Sequence, residues 1–180
     1  LLGKVRALGV SIDELVYRME DGRVVWTEPR GLAAGYDWPQ LSIHRADLQK
    51  ILSNTLGMER IHLNKRLVDL THTADEVTLR FTDGSSAKAN FVVGADGARS
   101  TVRQWMLGYD DVLYSGCSAF RGIVAPELLD KLPDPAAIQF WMGPGGHLLH
   151  YPIGNGDQNF FVVERNPAPW PAREWTMPAT

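Results

Sequence analysis

Hydrophobic and polar residues alternate with a period of two near both ends of the chain, and this spacing predicts β-strands. Residues 15–19 and 23–27 flank a Glu-Asp-Gly turn, a pattern typical of a β-hairpin. Shorter strands are predicted at 41–44, 61–63, 67–71, 76–82 and 87–89. Longer strands are predicted at 114–125, 136–142, 147–153 and 159–164. The pattern therefore indicates two antiparallel regions with a different kind of structure between them.

Helical spacing appears mainly in the middle of the chain. Apolar residues recur on one helical face from Leu48 to Leu56, and Gly57 is suited to end that helix. A second helix is predicted at 98–107, where one face carries Ala98, Val102, Trp105 and Met106. Residues 1–8 have the pattern of the end of another helix. Helical and parallel character is thus expected between the two antiparallel parts.

The segment that joins the second helix to its preceding strand has the strongest chemical signal. Residues 91–95 form a continuous apolar run, which predicts a strand buried on both faces of a parallel sheet. Gly94 and Gly97 flank Asp96, which is placed to cap the amides of the following helix. Such a site suits the hydroxyl and phosphate-linked groups of a nucleotide. The alternative is a sharp strand-to-helix turn in which the aspartate only caps the helix.

Composition narrows the class of protein. The chain has 180 residues, of which 44% are hydrophobic, and a formal charge of -3, which fits one globular domain or two small ones. It is not basic enough to predict a nucleic-acid surface, and it has no apolar run long enough for a membrane helix. Its single cysteine, Cys117, excludes an internal disulfide and is compatible with a reducing cytoplasm, where we expect the protein to be.

Two motifs together resemble a known family. The run from Gly94 to Arg103 resembles the second fingerprint of the FAD-dependent aromatic monooxygenases with the p-hydroxybenzoate hydroxylase fold. Residues 41–52, an apolar strand followed by His-Arg and a leucine-rich helix, resemble another segment of that family. The resemblance implies FAD contacts from Arg45, Leu67, Asp96 and Gly97. The alternative for Arg45 is an ordinary surface ion pair.

A third segment, residues 140–153, resembles the salicylate hydroxylase and 6-hydroxynicotinate 3-monooxygenase branch of the family. Alternation along the strand places His147 and Tyr151 on one face and His150 on the other. The resemblance implies that His147 and Tyr151 face the aromatic substrate, where either could relay the proton of a ring hydroxyl. The alternative is a solvated sheet face. The spacing of the two histidines does not suit a metal site, and none is predicted.

Arg121 lies in a predicted strand that family members use to line the active site. A cation facing the cavity would hold a carboxylate or phenolate substrate. An outward arginine that covers the sheet with its aliphatic stem is the alternative.

The resemblance also sets the expected fold: mixed α/β and α+β, the middle part of a p-hydroxybenzoate hydroxylase-type fold. Residues 1–43 would be the first part of the substrate domain, 44–110 part of an FAD-binding domain with an incomplete parallel sheet, and 111–180 the antiparallel substrate-domain sheet. The chain has no Gly-x-Gly-x-x-Gly sequence, the usual dinucleotide loop. We therefore expect a central fragment that does not hold FAD by itself and whose 91–95 strand has an uncovered or partner-covered edge. We also expect Arg45 and Asp96 to lie close together.

The function implied by the resemblance is hydroxylation of a small aromatic or N-heteroaromatic acid, with FAD, NADH or NADPH, and molecular oxygen. One alternative is a flavin oxidoreductase of the same fold that does not hydroxylate, of the halogenase or prenyl reductase type. The other is a β-rich binding module without catalysis. The expected partners are the substrate, oxygen and the missing halves of the same chain, with a homodimer left open.

Overall fold

The computed structural model describes residues 1–109 and 112–167 and contains two compact units. One unit comprises Leu1–Met58 with Ser115–Thr180, and the other comprises Glu59–Tyr114. Each unit has its own sheet. The division of the chain at 1–43, 44–110 and 111–180 concerns the domains of a larger fold and stays a prediction.

The helices lie at the start and in the middle of the chain. They are α1 (Leu2–Leu8), α2 (Arg45–Leu56) and α3 (Thr101–Leu107), with short 3-10 turns at Gly31–Ala34, Met58–Arg60 and Pro126–Leu128. The predicted helix ending at Gly57 is confirmed, and the backbone of Gly57 has a φ of 95°. Among the described residues, every helix is too short or too polar to span a membrane.

The strands are numbered in chain order. The first unit contains β1 (Val10–Ile12), β2 (Glu14–Met19), β3 (Val24–Pro29), β4 (Gln40–Ser42), β8 (Cys117–Val124), β9 (Ile138–Gly143), β10 (Gly146–Gly154) and β11 (Asp157–Arg165). The second unit contains β5 (Leu67–His72), β6 (Val77–Phe81) and β7 (Ser86–Ala89). The predicted hairpin at 15–27 and the four long strands near the end of the chain are confirmed.

A six-stranded sheet forms the centre of the first unit. Its order is β3-β2-β9-β10-β11-β8, so the hairpin from the start of the chain joins the strands from its end. All neighbouring pairs are antiparallel except β2 and β9, which run parallel with Leu15 opposite Ile138. A separate two-stranded sheet pairs β1 with β4. The buried apolar residues of this unit are Ile12, Leu15, Val16, Ile51, Ala137 and Ile153.

The two faces of the six-stranded sheet differ in burial. Residues opposite one another across strands share a face, and the register defines a Tyr151 face and a His150 face. The Tyr151 face carries Tyr17, Arg121, Phe140, His147, Leu149, Tyr151 and Phe161. The His150 face carries Val16, Gln139, His150, Gln158 and Phe160.

The 133–137 segment covers part of the His150 face. The Gln139 side-chain amide donates to the carbonyls of Pro133 and, at 2.8 Å, of Asp134. The Gln158 amide donates to the carbonyl of Pro135 at 2.6 Å. The covering segment makes the His150 face the more buried one. His150 and Gln139 on that face are fully buried, whereas His147 and Tyr151 on the other face are half-buried.

The second unit is an antiparallel meander with one helix. Its strands pair in the order β5-β6-β7, and α3 packs on β5. Leu70 is its buried apolar residue, and the rings of His72 and Trp105 meet edge to face at 5.4 Å. The meander predicted between residues 67 and 89 is therefore confirmed.

Three local predictions are wrong. Residues 91–95 form no strand, and Phe91 and Val93 are each 78% exposed, because the described residues of this unit supply no neighbouring strand to pair with them. Residues 61–63 form no strand either, since the chain turns there and Asn64 adopts a left-handed φ of 60°. The predicted parallel character is found instead between β2 and β9, in the sheet that was expected to be antiparallel.

Candidate functional site

The Asp96 loop is built by hydrogen bonds to the start of α3. The Asp96 carboxylate accepts from the amides of Thr101 at 2.7 Å and Val102 at 3.2 Å, and from the Ser100 hydroxyl at 2.5 Å. The Ser100 hydroxyl oxygen in turn accepts from the amide of Arg103 at 2.9 Å. The predicted cap is confirmed, and it delays the helix to Thr101 because the preceding residues form the cap.

These bonds also set the charge of the loop. The Ser100 hydroxyl, followed by the amides of Val102 and Thr101, outweighs desolvation and holds the pKa of Asp96 below its ordinary value. Asp96 is therefore ionised at neutral pH, beside the positive end of the α3 dipole.

Two glycines shape the same loop in different ways. Gly97 has a φ of 82°, in the left-handed region that favours glycine. A Cβ on Gly94 would lie 2.8 Å from two carbon atoms of Val102, so only glycine allows α3 to approach this closely. The loop borders a cavity of about 330 Å³, lined by Val92, Gly94, Asp96, Gly97, Ser100, Val102, Arg103, Met106 and Leu107. Leu67 is not among those residues and begins β5.

Arg45 is the first residue of α2 and is exposed. Its side chain makes no hydrogen bond or ion pair with the part of the chain that the structure describes, so the surface ion pair considered above is not formed there. Arg45 and Asp96 belong to different units, and their expected proximity stays a prediction.

The start of α2 is tied to the strand that carries the predicted catalytic residues. The His44 amide donates to the carbonyl of Ile153 at 2.9 Å, and the Ser42 hydroxyl donates to the carbonyl of Pro152 at 2.7 Å. Arg45 therefore begins its helix beside the end of β10, immediately beyond Tyr151.

The three residues predicted to meet the substrate lie on one face of one sheet. His147, Leu149 and Tyr151 alternate along β10, and Phe161 separates Leu149 from Arg121 across the sheet. The ring of His147 lies 5.6 Å from that of Phe140. Tyr151 borders a cavity but Arg121 is exposed. Their roles stay predictions, although the shared face they require is present.

The cavity beside Tyr151 has a volume of about 300 Å³ and combines apolar and polar walls. It is lined by Leu15, Arg30, Gln40, Ser42, Ile138, Phe140, Leu149 and Tyr151. The sequence pattern did not point to Arg30 or Gln40 as site residues. Arg30 follows β3 and Gln40 begins the short strand β4, and both are far from Tyr151 in the chain. The only available signal was the position of Arg30 immediately after a predicted hairpin.

A larger open groove of about 840 Å³ lies near the β9–β10 turn, and residues of both faces line it, His147 and His150 among them. The rings of Trp141 and Phe160 lie 6.2 and 5.3 Å from that of His150. Burial holds the pKa of His150 below its ordinary value. Gln158 opposes that shift, but the Gln158 side-chain oxygen and both imidazole nitrogens lack a hydrogen-bond partner, so burial prevails.

The residues expected to hold FAD fit contacts to parts of that cofactor. Arg45 has a guanidinium that no described residue pairs, at a helix start, which suits a phosphate or flavin-chain oxygen. Asp96 is ionised, and Gly97 leaves open space beside it, since a Cβ there would meet no atom within 4 Å. The Asp96 carboxylate is used by the helix cap, which holds the loop in place.

Comparison with known proteins identifies relatives of this arrangement. Residues 29–162 match the family described as FAD binding domain. The chain is 36% identical over 121 residues to 3-amino-4-hydroxybenzoate 2-monooxygenase of Streptomyces cremeus, covering 67% of this chain and 30% of that protein. It is 30% identical over 144 residues to 6-hydroxynicotinate 3-monooxygenase of Bordetella bronchiseptica, covering 79% of this chain and 36% of that protein.

Solved structures agree. Klebsiella pneumoniae HpxO complexed with FAD and uric acid superposes with a TM-score of 0.77 at 26% identity, covering 94% of this chain and 44% of that chain. A salicylate hydroxylase substrate complex superposes with a TM-score of 0.74 at 26% identity, covering 97% of this chain and 47% of that chain. The chain spans about a third of the length of the two curated relatives described above. It belongs to the FAD binding domain family, and its fold is that of the FAD-dependent aromatic monooxygenases.

Proposed function

We propose that the protein hydroxylates a small aromatic or N-heteroaromatic acid, using FAD, NAD(P)H and molecular oxygen. In the overall reaction the substrate ring exchanges one hydrogen for a hydroxyl group, and the second oxygen atom leaves as water. NAD(P)H and a proton supply the two electrons and hydrogen that this balance requires. The names of the relatives support this substrate class, since they act on hydroxybenzoates, hydroxynicotinate and dihydroxypyridine.

One structural observation carries the proposal. The start of α2, where Arg45 has no partner among the described residues, is hydrogen-bonded to β10 directly beyond Tyr151. This connection supports the proposal, because it joins the residue proposed to contact the cofactor to the strand proposed to transfer the proton. A β-rich binding module without catalysis has no need for that arrangement.

FAD, when bound, would supply the redox chemistry that activates oxygen. Arg45 would bind an oxygen of its phosphate or ribityl chain, and the Asp96–Gly97 loop and the Leu67 backbone would contact it elsewhere. Because the 180 residues contain no Gly-x-Gly-x-x-Gly cradle, we place the pyrophosphate site in polypeptide outside them. Arg45 would orient the cofactor relative to the Tyr151 face, since the start of α2 is hydrogen-bonded to β10.

The remaining steps belong to the Tyr151 face. A ring hydroxyl of the substrate becomes more electron-donating when it loses its proton, which makes the ring easier to hydroxylate. Tyr151 borders the cavity, so a proton could pass from a substrate there to the Tyr151 hydroxyl. His147 lies on the same face but lines the groove at the β9–β10 turn, so its role in proton transfer requires a substrate that extends along that face. Leu15, Ile138 and Phe140 provide apolar walls against which the ring would lie.

In the complete, flavin-binding enzyme, His147→Gln and Tyr151→Phe should each lower the rate of hydroxylation. Each substitution removes a proton-transfer group while roughly keeping the shape, and general acid–base groups contribute about 10²–10⁴-fold. Flavin content should not change, because neither side chain is assigned to the cofactor. Product formation is measured by chromatography, and flavin content by the ratio of visible to ultraviolet absorbance.

Leu148→Ile is the matched control, since Leu148 lies on the same strand but on the opposite face, and it does not line the cavity beside Tyr151. Wild-type turnover in both test variants, with NAD(P)H oxidation still coupled to product, would place the pair on an ordinary sheet surface. Release of hydrogen peroxide without hydroxylated product from the wild type would instead favour an oxidoreductase that does not hydroxylate.

A cytoplasmic location and the option of a homodimer complete the proposal. Cys117 is a free, exposed thiol, which is compatible with a reducing compartment where NAD(P)H is available. The oligomeric state is measured by light scattering of the flavin-loaded protein.

A further inference from the structure

Arg30 is fixed in place at the end of the first hairpin. Its backbone amide donates to the carbonyl of Asp13 at 2.7 Å. The next residue, Gly31, is buried with a φ of 53°, and a Cβ there would collide with the backbone nitrogen of Gln40. Only glycine fits this close approach, so the chain enters and leaves Arg30 along one defined path.

The guanidinium of Arg30 has hydrogen-bond donors to spare. One terminal nitrogen, Nη2, donates to Glu28 at 3.0 Å, and the side chain is 32% exposed. The Nε atom is buried, and no described residue accepts a hydrogen bond from it. Glu28 therefore orients the guanidinium but uses only one of its five N–H groups. The half-exposed Nη groups are left to bind an acceptor in the cavity.

The same arginine lines the cavity beside Tyr151. Of the other polar residues there, Ser42 already donates its hydroxyl to the carbonyl of Pro152. Arg30 is the only cation among the lining residues, all of which lie in the described part of the chain. Small-molecule pockets usually measure about 300–1,000 Å³, so a cavity of about 300 Å³ admits a single ring.

We propose that Arg30 binds the carboxylate of a one-ring aromatic substrate in the cavity that Tyr151 borders. This assignment rests on the proposed function and adds to it a specificity-determining residue. The guanidinium fork matches a carboxylate, and the neighbouring apolar walls hold the ring. Arg121, by contrast, is exposed and does not line this cavity.

The test measures discrimination between two ligands of similar shape, one of which has a carboxylate where the other has a neutral amide. The dissociation constants of 3-hydroxybenzoate and 3-hydroxybenzamide are determined by calorimetry for the complete, flavin-loaded enzyme as wild type, Arg30→Gln and Arg23→Gln. Arg23 is exposed in the same hairpin, so its substitution is a matched control. The wild type and Arg23→Gln should prefer the benzoate by about 10–100-fold, the range of a charge-assisted hydrogen bond. Arg30→Gln should lose that preference while binding the amide as before.

A merely structural role would weaken both ligands together and leave their ratio unchanged, which would overturn the assignment. A wild type that binds both ligands equally, or neither, would overturn it as well. If Arg30→Gln does not fold, Arg30→Lys keeps the charge without the fork, and it should show a reduced preference; an unchanged preference would count against Arg30.

Product analysis separates this inference from the proposed function. Benzoate discrimination that depends on Arg30, without hydroxylated product from any aromatic acid, would support the assignment and overturn hydroxylation. Hydroxylation by an enzyme whose discrimination ignores Arg30 would have the opposite meaning.

Discussion

His150 occupies an unusual position for a polar side chain. It is fully buried between two aromatic rings, and no described residue is hydrogen-bonded to either nitrogen. A buried polar group without a partner lowers the stability of a protein, so the imidazole is retained there at a cost. It also sits on the strand of His147 and Tyr151, facing the other way.

We predict that His150 makes the folded protein less stable in mild acid. Its pKa is lowered by burial, so the unfolded chain binds a proton near the ordinary value of 6.5 while the folded chain does not. Unfolding therefore takes up a proton below about pH 6.5, and the free energy of unfolding falls as the pH drops through that range. Urea unfolding between pH 5.5 and 8 measures this slope.

His150→Phe should remove the slope and raise the free energy of unfolding at pH 5.5 by about 1 kcal/mol, since an apolar ring replaces an unsatisfied one. His62→Phe, at an exposed position in the other unit, is the control. An unchanged slope in His150→Phe would show that other groups cause the acid sensitivity.

Single residues were predictable from sequence where the strand period alone decides. The period of two placed His147 with Tyr151 and set His150 apart, and the register confirms both placements. Arg30 was not predictable, because its contacts with Asp13 and Gln40 and its place beside Tyr151 depend on how distant strands assemble. The role of each site residue depends on ligands and is a separate question.

At the scale of elements, α3 depends on the glycine that precedes its cap. Gly94 lies against Val102, the second residue of α3, with no room for a methyl group between them. The same contact brings the Asp96 carboxylate over the first amides of the helix.

We predict that Gly94→Ala lowers the free energy of unfolding by about 1–3 kcal/mol, the usual cost of overpacking. The added methyl would overlap the Val102 side chain, and α3 would have to move away from its cap. Val102→Ala in the same chain should restore part of the loss, because it removes both Cγ atoms of the three carbon atoms that crowd the added methyl. Urea unfolding of the four proteins forms a double-mutant cycle. Additive effects would contradict the contact.

Elements were predicted well where their own sequence is sufficient. The helix ending at Gly57 and the meander at residues 67–89 follow from local period and turn residues. Residues 91–95 were predicted wrongly, because an apolar run becomes a strand only when a neighbouring strand offers hydrogen bonds. Their apolar sequence suits a buried position, whereas the structure shows Phe91 and Val93 exposed.

At the scale of the whole molecule, we predict that Arg45 contributes to flavin affinity and not to folding. Its side chain has no partner in the described residues, so Arg45→Gln should leave the unfolding free energy within about 0.5 kcal/mol of the wild type. Loss of one charge-assisted contact should weaken FAD binding about tenfold. Flavin fluorescence titration of the complete apoprotein measures the affinity. Lys50→Gln, exposed on the same helix, should bind FAD normally.

Equal FAD affinity in Arg45→Gln and the wild type would remove Arg45 from the flavin site.

Sequence alone indicated the family and the mixed fold, because short motifs mark the ends of strands and helices. It did not indicate the parallel pairing of β2 with β9, since the two strands are remote in the chain and each has an ordinary alternating pattern.

The parallel pairing of β2 with β9 has a consequence for folding during synthesis on the ribosome. The β2–β3 hairpin leaves the exit tunnel early, yet its neighbour β9 does not exist until Gly143 has been synthesised. The Glu59–Tyr114 unit lies entirely between them in the sequence and needs no later residue to complete its meander. At a synthesis rate of about 5–20 residues per second, the β2 edge of the hairpin stays unpaired for several seconds. Nascent chains stalled before β9 should therefore expose that edge to chaperones, and chains released beyond β11 should not.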